Sequence, residues 1–398
     1  MYSPKVKAGV FLLEGLNGIA TTYYFYYLYF FTQSKFGFDR FQNLLLAAAL
    51  GLLYTFGSII GGRFAQKRGY FFALKIGFGI MAVTLSVGSQ LDSLAGHFVV
   101  MVVCNQGMCF TWPTLEALVS EGKGRRRLQT MVGIYNLVWA LGGALAYLTG
   151  GAMIESWGLR SLFVVPAAIF LIQLAFAVWL ERQAGQRQTK SIDVSLDSDS
   201  ETDVTESLRS PIRRKTFLKM AWLANPFTYL AINTVVAVSP SLAKTLNLTP
   251  KYAGYYCSIW MFTRAASFLF FWLWSGWHYR FRWLLNAYLG MIVGFVLILL
   301  SPNLTMLIAS QIAFGACIGL IYYSSLFYSM DVGETKGEHG GFHEAAIGVG
   351  SCAGPAVGAA SLYFAPGNPH HSTFAVGALL VAGLVGLVWL RRRNQPRN

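Results

Sequence analysis

The chain has 398 residues, 55% of them apolar and 12% charged, where an ordinary soluble domain carries roughly a quarter charged. That deficit excludes a soluble globular protein. The formal charge of +14 lies in short clusters between apolar runs, without a nucleic-acid-binding signature. Apolar runs of about twenty residues, each able to cross ~30 Å of hydrocarbon as a helix, recur from Ala8 to Leu390. Their continuity selects helices over the alternating strands of a membrane barrel.

Twelve spans are predicted, starting near residues 8, 42, 71, 96, 129, 161, 217, 252, 284, 305, 343 and 373. An even number puts both termini on one side. Of the 31 Lys and Arg residues, 25 fall on that side, five (Lys35, Arg40, Arg160, Lys244 and Lys251) fall opposite, and Arg264 lies within a span. This excess predicts cytoplasmic termini in an integral membrane protein, in the inner membrane if the source is bacterial. The first run follows Lys5 and Lys7, but it is too long for a signal peptide and has no clear small-residue cleavage site, so it is read as a span. Cys104, Cys109, Cys257, Cys317 and Cys352 all fall within predicted spans, as small packing residues.

In the first span Glu14 sits about two turns in, where a carboxylate must face a cavity, find a cation, be protonated, or hydrate at the interface. It is the candidate proton carrier. Asn17, Thr21, Tyr24 and Leu28 follow at helical spacing and share its face. The other tyrosines of this span, Tyr23, Tyr26, Tyr27 and Tyr29, lie all round the helix, as an interfacial belt and packing or as an aromatic platform. In the fourth span Asn105 and Gln106 lie near the middle, and Pro113 should bend the helix. Glu116 follows, either as a gate residue facing Arg125 to Arg127 or as a substrate ligand. Asn136 and Trp139 in the fifth span, Asn233 in the seventh and Tyr323 in the tenth are cavity candidates or interhelical hydrogen-bond formers.

Residues 182–216 are rich in Ser, Asp and Glu and cannot bury enough surface to fold alone, so they read as a cytoplasmic linker between bundles at 1–181 and 217–398. In the eighth span Arg264, with Trp260 and Phe268 one turn to either side, requires an anionic substrate, an internal pair with Glu14 or Glu116, or an aromatic partner. After the tenth span, Asp331, Glu334, Glu338 and Glu344 read as a cytoplasmic gate with Gly340 and Gly341 as its hinge. His339 and His343, four residues apart, could share a face there, but no metal site and no cofactor is expected.

The halves carry an internal repeat. Gly133, Gly142, Ala146, Tyr147, Gly150 and Gly151 align, at an offset of 208, with Gly341, Gly350, Gly354, Pro355, Gly358 and Ala359. Small residues at such spacing let helices approach backbone to backbone, and the Gly-Pro pair bends one of them. With six spans, a charged linker and six more, the chain resembles the major facilitator superfamily over essentially its whole length. The repeated residues look like that family's fifth-span glycine motif, with Ala146 and Tyr147 where the motif has Gly and Pro. The segment Gly62 to Gly69 is similar to the family's loop between spans two and three: Lys67 and Gly69 match, and Gln66 replaces its Asp.

The resemblance implies an all-α membrane protein of twelve helices in two six-helix bundles, with a midplane cavity lined mainly by spans one, four, seven and ten. It also implies alternating access. Without a Walker motif or a catalytic constellation, an ATP-driven pump and an enzyme are unsupported. The expected function is secondary active transport of a small organic solute, driven by a proton or another cation. Export of an amphipathic compound or metabolite is the preferred reading. Uptake of a sugar or organic anion is the alternative, and a receptor-like protein without transport is the second. A monomer in the bilayer suffices for this cycle, and no nucleic-acid partner is expected.

Overall fold

The computed structural model describes the backbone of residues 4–120, 125–188, 211–332 and 338–394, and the side chains of 5–119, 130–131, 133–184, 214–329 and 341–394. Glu334, the side chains of Arg125, Asp331, Glu338 and His339, and linker residues 189–210 lie outside them.

Among the described residues the chain is helical, without strands, as it must be where no water can satisfy backbone N–H and C=O groups. The helices are α1 (Pro4–Phe36), α2 (Arg40–Arg68), α3 (Tyr70–Gly88), α4 (Leu94–Ser120), α5 (Arg125–Trp157) and α6 (Ser161–Gln188). After the linker come α7 (Pro211–Thr245), α8 (Pro250–Cys257), α9 (Ile259–Leu273), α10 (Phe281–Leu299), α11 (Leu304–Val332), α12 (Glu338–Phe364) and α13 (His371–Arg393). Only Ser258 separates α8 from α9, and its φ of −87° and ψ of −11° stay in the right-handed region, so the two form one interrupted rod. Twelve rods result. Each predicted span start falls close to a helix start, the largest gap being 217 against Pro211.

Ten of these helices are long and apolar enough to cross a membrane individually. Of the other three, α8 and α9 are short at 8 and 15 residues, while α1 has the length but carries Glu14, Asn17 and its tyrosines. Outward faces are apolar, with Phe56, Ile60, Val83, Val99 and Ile172 exposed where lipid would lie. The turn between α2 and α3 is one residue, Gly69, at φ +101°, a conformation that a side chain would strain. At the other end of α2, Asp39 caps the helix: its carboxylate accepts from the Gln42 N–H at 2.8 Å, and its own N–H donates to Gln42 Oε1 at 3.0 Å.

The helices that carry the sequence repeat make equivalent contacts. In α5, Gly142 lies against the Gly15 carbonyl of α1, and in α12, Gly350 lies against the Pro226 carbonyl of α7. A second set of contacts joins α2 to α12 and α5 to α8 and α9. A Cβ on Gly51 would come within 2.5 Å of the backbone at Ser351 and Cys352, and one on Gly62 within 2.9 Å of the Gly341 Cα. Gly348 faces the Thr55 backbone in the same seam. On the other flank Gly151 abuts the Pro250 carbonyl, and Gly133 lies against the Trp272 indole.

Because the atoms facing Gly51 are backbone, a side chain there forces the two helices apart. Gly51→Val should cost about 1–3 kcal/mol and lower the thermal unfolding midpoint by several degrees. Gly79→Ala, whose added Cβ would meet nothing within 4 Å, should leave the midpoint unchanged. Equal midpoints for the two variants would show that the seam does not depend on this approach.

Candidate functional site

Eight helices, α1, α2, α4, α5, α7, α9, α11 and α12, enclose a cavity of about 180 Å³. This is slightly larger than the ~150 Å³ cavity that takes up benzene in an engineered protein, so it suits a small organic molecule. Its wall is shared more widely than by spans one, four, seven and ten, because the close α2–α12 and α5–α8/α9 seams bring those helices inward as well.

The face that α1 turns to the cavity runs through Gly18, Thr21, Thr22, Phe25, Tyr26 and Tyr29. It lies one residue, about 100° of helix, from the stripe that starts at Glu14, and Thr21 is common to both. Tyr24 instead packs edge-on against Phe163 of α6 at 5.8 Å. Glu14 is fully buried, and neither carboxylate oxygen has a hydrogen-bond partner; the same holds for both side-chain polar atoms of Asn17. Tyr135 of α5 lines the cavity and lies within electrostatic reach of Glu14, Glu116 and Glu344.

Of the other sequence candidates, Asn105, Trp139, Asn233 and Arg264 line the cavity. Asn105 donates to the Leu50 carbonyl at 2.8 Å, and Asn233 to Ser351 Oγ at 2.8 Å, so both also tie helices together. Asn136 lies just behind and accepts from Trp139 Nε1 at 3.2 Å. Gln106 faces Gly57 of α2, and Tyr323 is buried against Phe268 and Trp277. Trp260 is buried against Tyr26, 6.2 Å between stacked rings.

Arg264 is 2% exposed, with its guanidinium 4.5 Å from the Trp139 ring centroid and 4.9 Å from that of Trp260. Nε and Nη2 are buried without a hydrogen-bond partner, and among the described residues no carboxylate forms an ion pair with it. The sequence left an internal pair with Glu14 or Glu116 open, and neither acid makes one. The two indoles clasp a charge that they only partly compensate.

One end of the cavity, on the side of the termini, is closed by contacts between α2 or α4 and α12. Tyr54 Oη donates to Glu344 Oε2 at 2.6 Å, and His343 Nδ1 lies 3.6 Å from Glu116 Oε1. Gly62 meets Gly341 in the same region, whereas Gln66 and Lys67 lie at the exposed end of α2. At the opposite end the Lys251 N–H donates to Glu155 Oε1 at 2.9 Å, and Arg40 Nη1 to the Pro369 carbonyl at 2.7 Å. Helices from before and after the linker thus meet at both ends of the cavity.

Sequence reasoning missed Tyr54, Tyr135, Tyr229 and Tyr322, which with Tyr26, Trp112 and Trp139 make the wall strongly aromatic. For α1 a usable signal existed, since Gly18, Thr22, Phe25 and Tyr29 form a helical stripe of their own. Tyr54 and Tyr229 stand alone in their helices, Tyr135 is twelve residues from Tyr147 and Tyr322 is beside Tyr323, so nothing in their spacing marks a face.

The profile of the Major Facilitator Superfamily matches residues 10–355. No curated protein matches the chain significantly. Among solved structures, the crystal structure of the human organic anion transporter MFSD10 is similar at a TM-score of 0.69 and 14% identity, covering 97% of this chain and 100% of that one. The peptide transporter POT is similar at 0.70 and 17%, covering 98% and 94%, and the nucleoside transporter NupG at 0.66 and 15%, covering 98% and 99%. At these identities the likeness is one of fold. With the profile match over most of the chain, the helical architecture and the central cavity, this integral membrane protein belongs to the Major Facilitator Superfamily.

Proposed function

We propose that the chain is a secondary active transporter that carries a small organic anion through the central cavity by alternating access, coupled to protons. The observation that carries this reading is Arg264, a permanent cation buried at the cavity wall and, among the described residues, without an acidic partner. Desolvating such an ion costs several kcal/mol, and a desolvated cation–π contact returns about 2 kcal/mol. Two indoles therefore leave part of the cost open, which a substrate carboxylate, sulfonate or phosphate would offset. An amphipathic anion would use both features of the site, its charge on the guanidinium and its body on the aromatic wall.

Glu14 is the proton carrier in this scheme, reached from the cavity past Tyr135. Its burial without a partner supports the role, since no other contact claims the carboxyl. The Lys and Arg excess supports cytoplasmic termini, and residues 1–181 and 217–398 act as the two moving units, joined by the 182–216 linker. One chain contains the whole path, so a monomer suffices.

Ligand binding to purified protein, followed by thermal shift, tests the substrate class. Truncating one side of a buried charge pair costs about 2–5 kcal/mol, so Arg264→Ala should weaken organic anions about 30-fold or more while neutral analogues of the same shape lose much less. Equal losses would make Arg264 a packing residue. In proteoliposomes Glu14→Gln should retain binding but lose accumulation driven by a pH gradient; undiminished accumulation would remove Glu14 from the mechanism. Binding without flux in either gradient direction would favour the receptor-like reading.

A further inference from the structure

At the termini end of the cavity, three potential metal ligands converge from two helices. Glu116 comes from α4, and His343 and Glu344 come from α12, with one ligand atom of each lying within 4.8 Å of the others. His343 and Glu344 are 8% and 6% exposed. Ligands sharing an ion with bonds of ~2.0–2.2 Å sit roughly 3–4 Å apart, so small side-chain torsions close the group onto a common centre.

A second observation concerns the imidazole. His343 Nδ1 is buried without a hydrogen-bond partner and faces Glu116 Oε1 at 3.6 Å, beyond hydrogen-bond length. The other ring nitrogen, Nε2, lies 3.3 Å from Asn225 Nδ2, while Asn225 Oδ1 is itself buried and unpartnered. With its amide turned by half a rotation Asn225 would accept from Nε2–H through Oδ1, the tautomer in which Nδ1, facing Glu116, carries the lone pair. This is how a ligating histidine is oriented, its far nitrogen donating to a fixed acceptor. Glu344 is oriented in the same way by the Tyr54 hydroxyl, at 2.6 Å. Two carboxylates and a buried imidazole nitrogen without a hydrogen-bond partner thus share one small region, where a cation would offset the acidic charge.

We propose that Glu116, His343 and Glu344 form a binding site for a divalent transition-metal ion that bridges α4 and α12. One divalent ion neutralises the two carboxylates, with the imidazole as a neutral third ligand. A fourth position stays open toward the cavity, which Glu344 lines. Imidazole with carboxylate selects zinc, cobalt or another first-row metal over magnesium. The ion joins a helix before the linker to one after it, so it holds this end of the cavity closed. The site involves neither Arg264 nor Glu14, and its occupancy is measurable whether or not the protein transports anions.

The test uses full-length purified protein, freed of any affinity tag and stripped with a chelator. It is titrated with Co2+, followed by ligand-field absorption, and with Zn2+, followed by calorimetry. One equivalent of each should bind, with Mg2+ failing to compete. His343→Ala and Glu344→Gln should each weaken binding at least tenfold, while a His370→Ala/His371→Ala double variant at the opposite end leaves it intact. Absence of a Co2+ band and of Zn2+ heat in folded wild-type protein overturns the proposal. So does affinity unchanged in His343→Ala, or affinity lost in the double variant. If His343→Ala fails to fold, Glu344→Gln and the wild-type stoichiometry decide the matter.

Discussion

The contact on which the cavity depends is the backbone approach of α2 and α12. At Gly51, Gly62 and Gly348 the two helices come so close that a single methyl group would strike main-chain atoms. In a bilayer no hydrophobic force draws apolar helices together, so close packing and interhelical hydrogen bonds must do so. Small residues make that packing possible. The seam joins a helix before the linker to one after it, and it brings Tyr54 within 2.6 Å of Glu344. The α5 contacts with α8 and α9, at Gly151 and Gly133, play the matching part on the other flank. Between the two seams lies the space in which a solute can sit.

Electrostatics give that space its character. Its wall holds one basic group, Arg264, and one acidic group, Glu344, in an otherwise aromatic and amide-lined surface. Glu344 is engaged at the closed end by Tyr54 and its neighbours, whereas Arg264 lies over the faces of Trp139 and Trp260 and, among the described residues, pairs with no carboxylate. The uncompensated charge is therefore positive and faces the cavity. A third ionisable group, Glu14, is fully buried and is not among the residues that line the cavity. No direct salt bridge joins the cavity-lining cation to the buried carboxyl.

The termini-side closure concentrates chemistry that an ordinary helix contact does not need. Gly62 against Gly341 would by itself hold α2 to α12, yet Glu116, His343, Glu344, Asn225 and Tyr54 converge beside it from four helices. Buried polar groups at a helix interface are either paired or unpaired, so they favour discrete arrangements over a continuum. The opposite end is built differently, from backbone contacts at Gly151 and hydrogen bonds of Glu155 and Arg40 near the surface. The two ends of the path therefore differ in what must be broken to open them.

Hydropathy and charge by themselves determined the helical class, the number and placement of the spans, and the glycine repeat. Each is written along the chain: a span needs about twenty apolar residues, and the repeat needs only a constant offset. Polar residues within spans were legible as exceptions, which is how Asn105, Trp139, Asn233 and Arg264 could be named. What the sequence could not decide was which way each helix faces. A helix in lipid is apolar toward its neighbours and toward the bilayer, so periodicity carries little of the directional signal it has in water. Hence the lining face of α1 lies one residue from the stripe beginning at Glu14, and Tyr54, Tyr135, Tyr229 and Tyr322 emerged only once the helices were packed. Tertiary structure alone also brought Glu116 to His343 and Glu344 across more than two hundred residues of chain, and left Arg264 without an acid among the described residues. Both outcomes depend on how the two sets of helices meet, and nothing local in either set specifies that meeting.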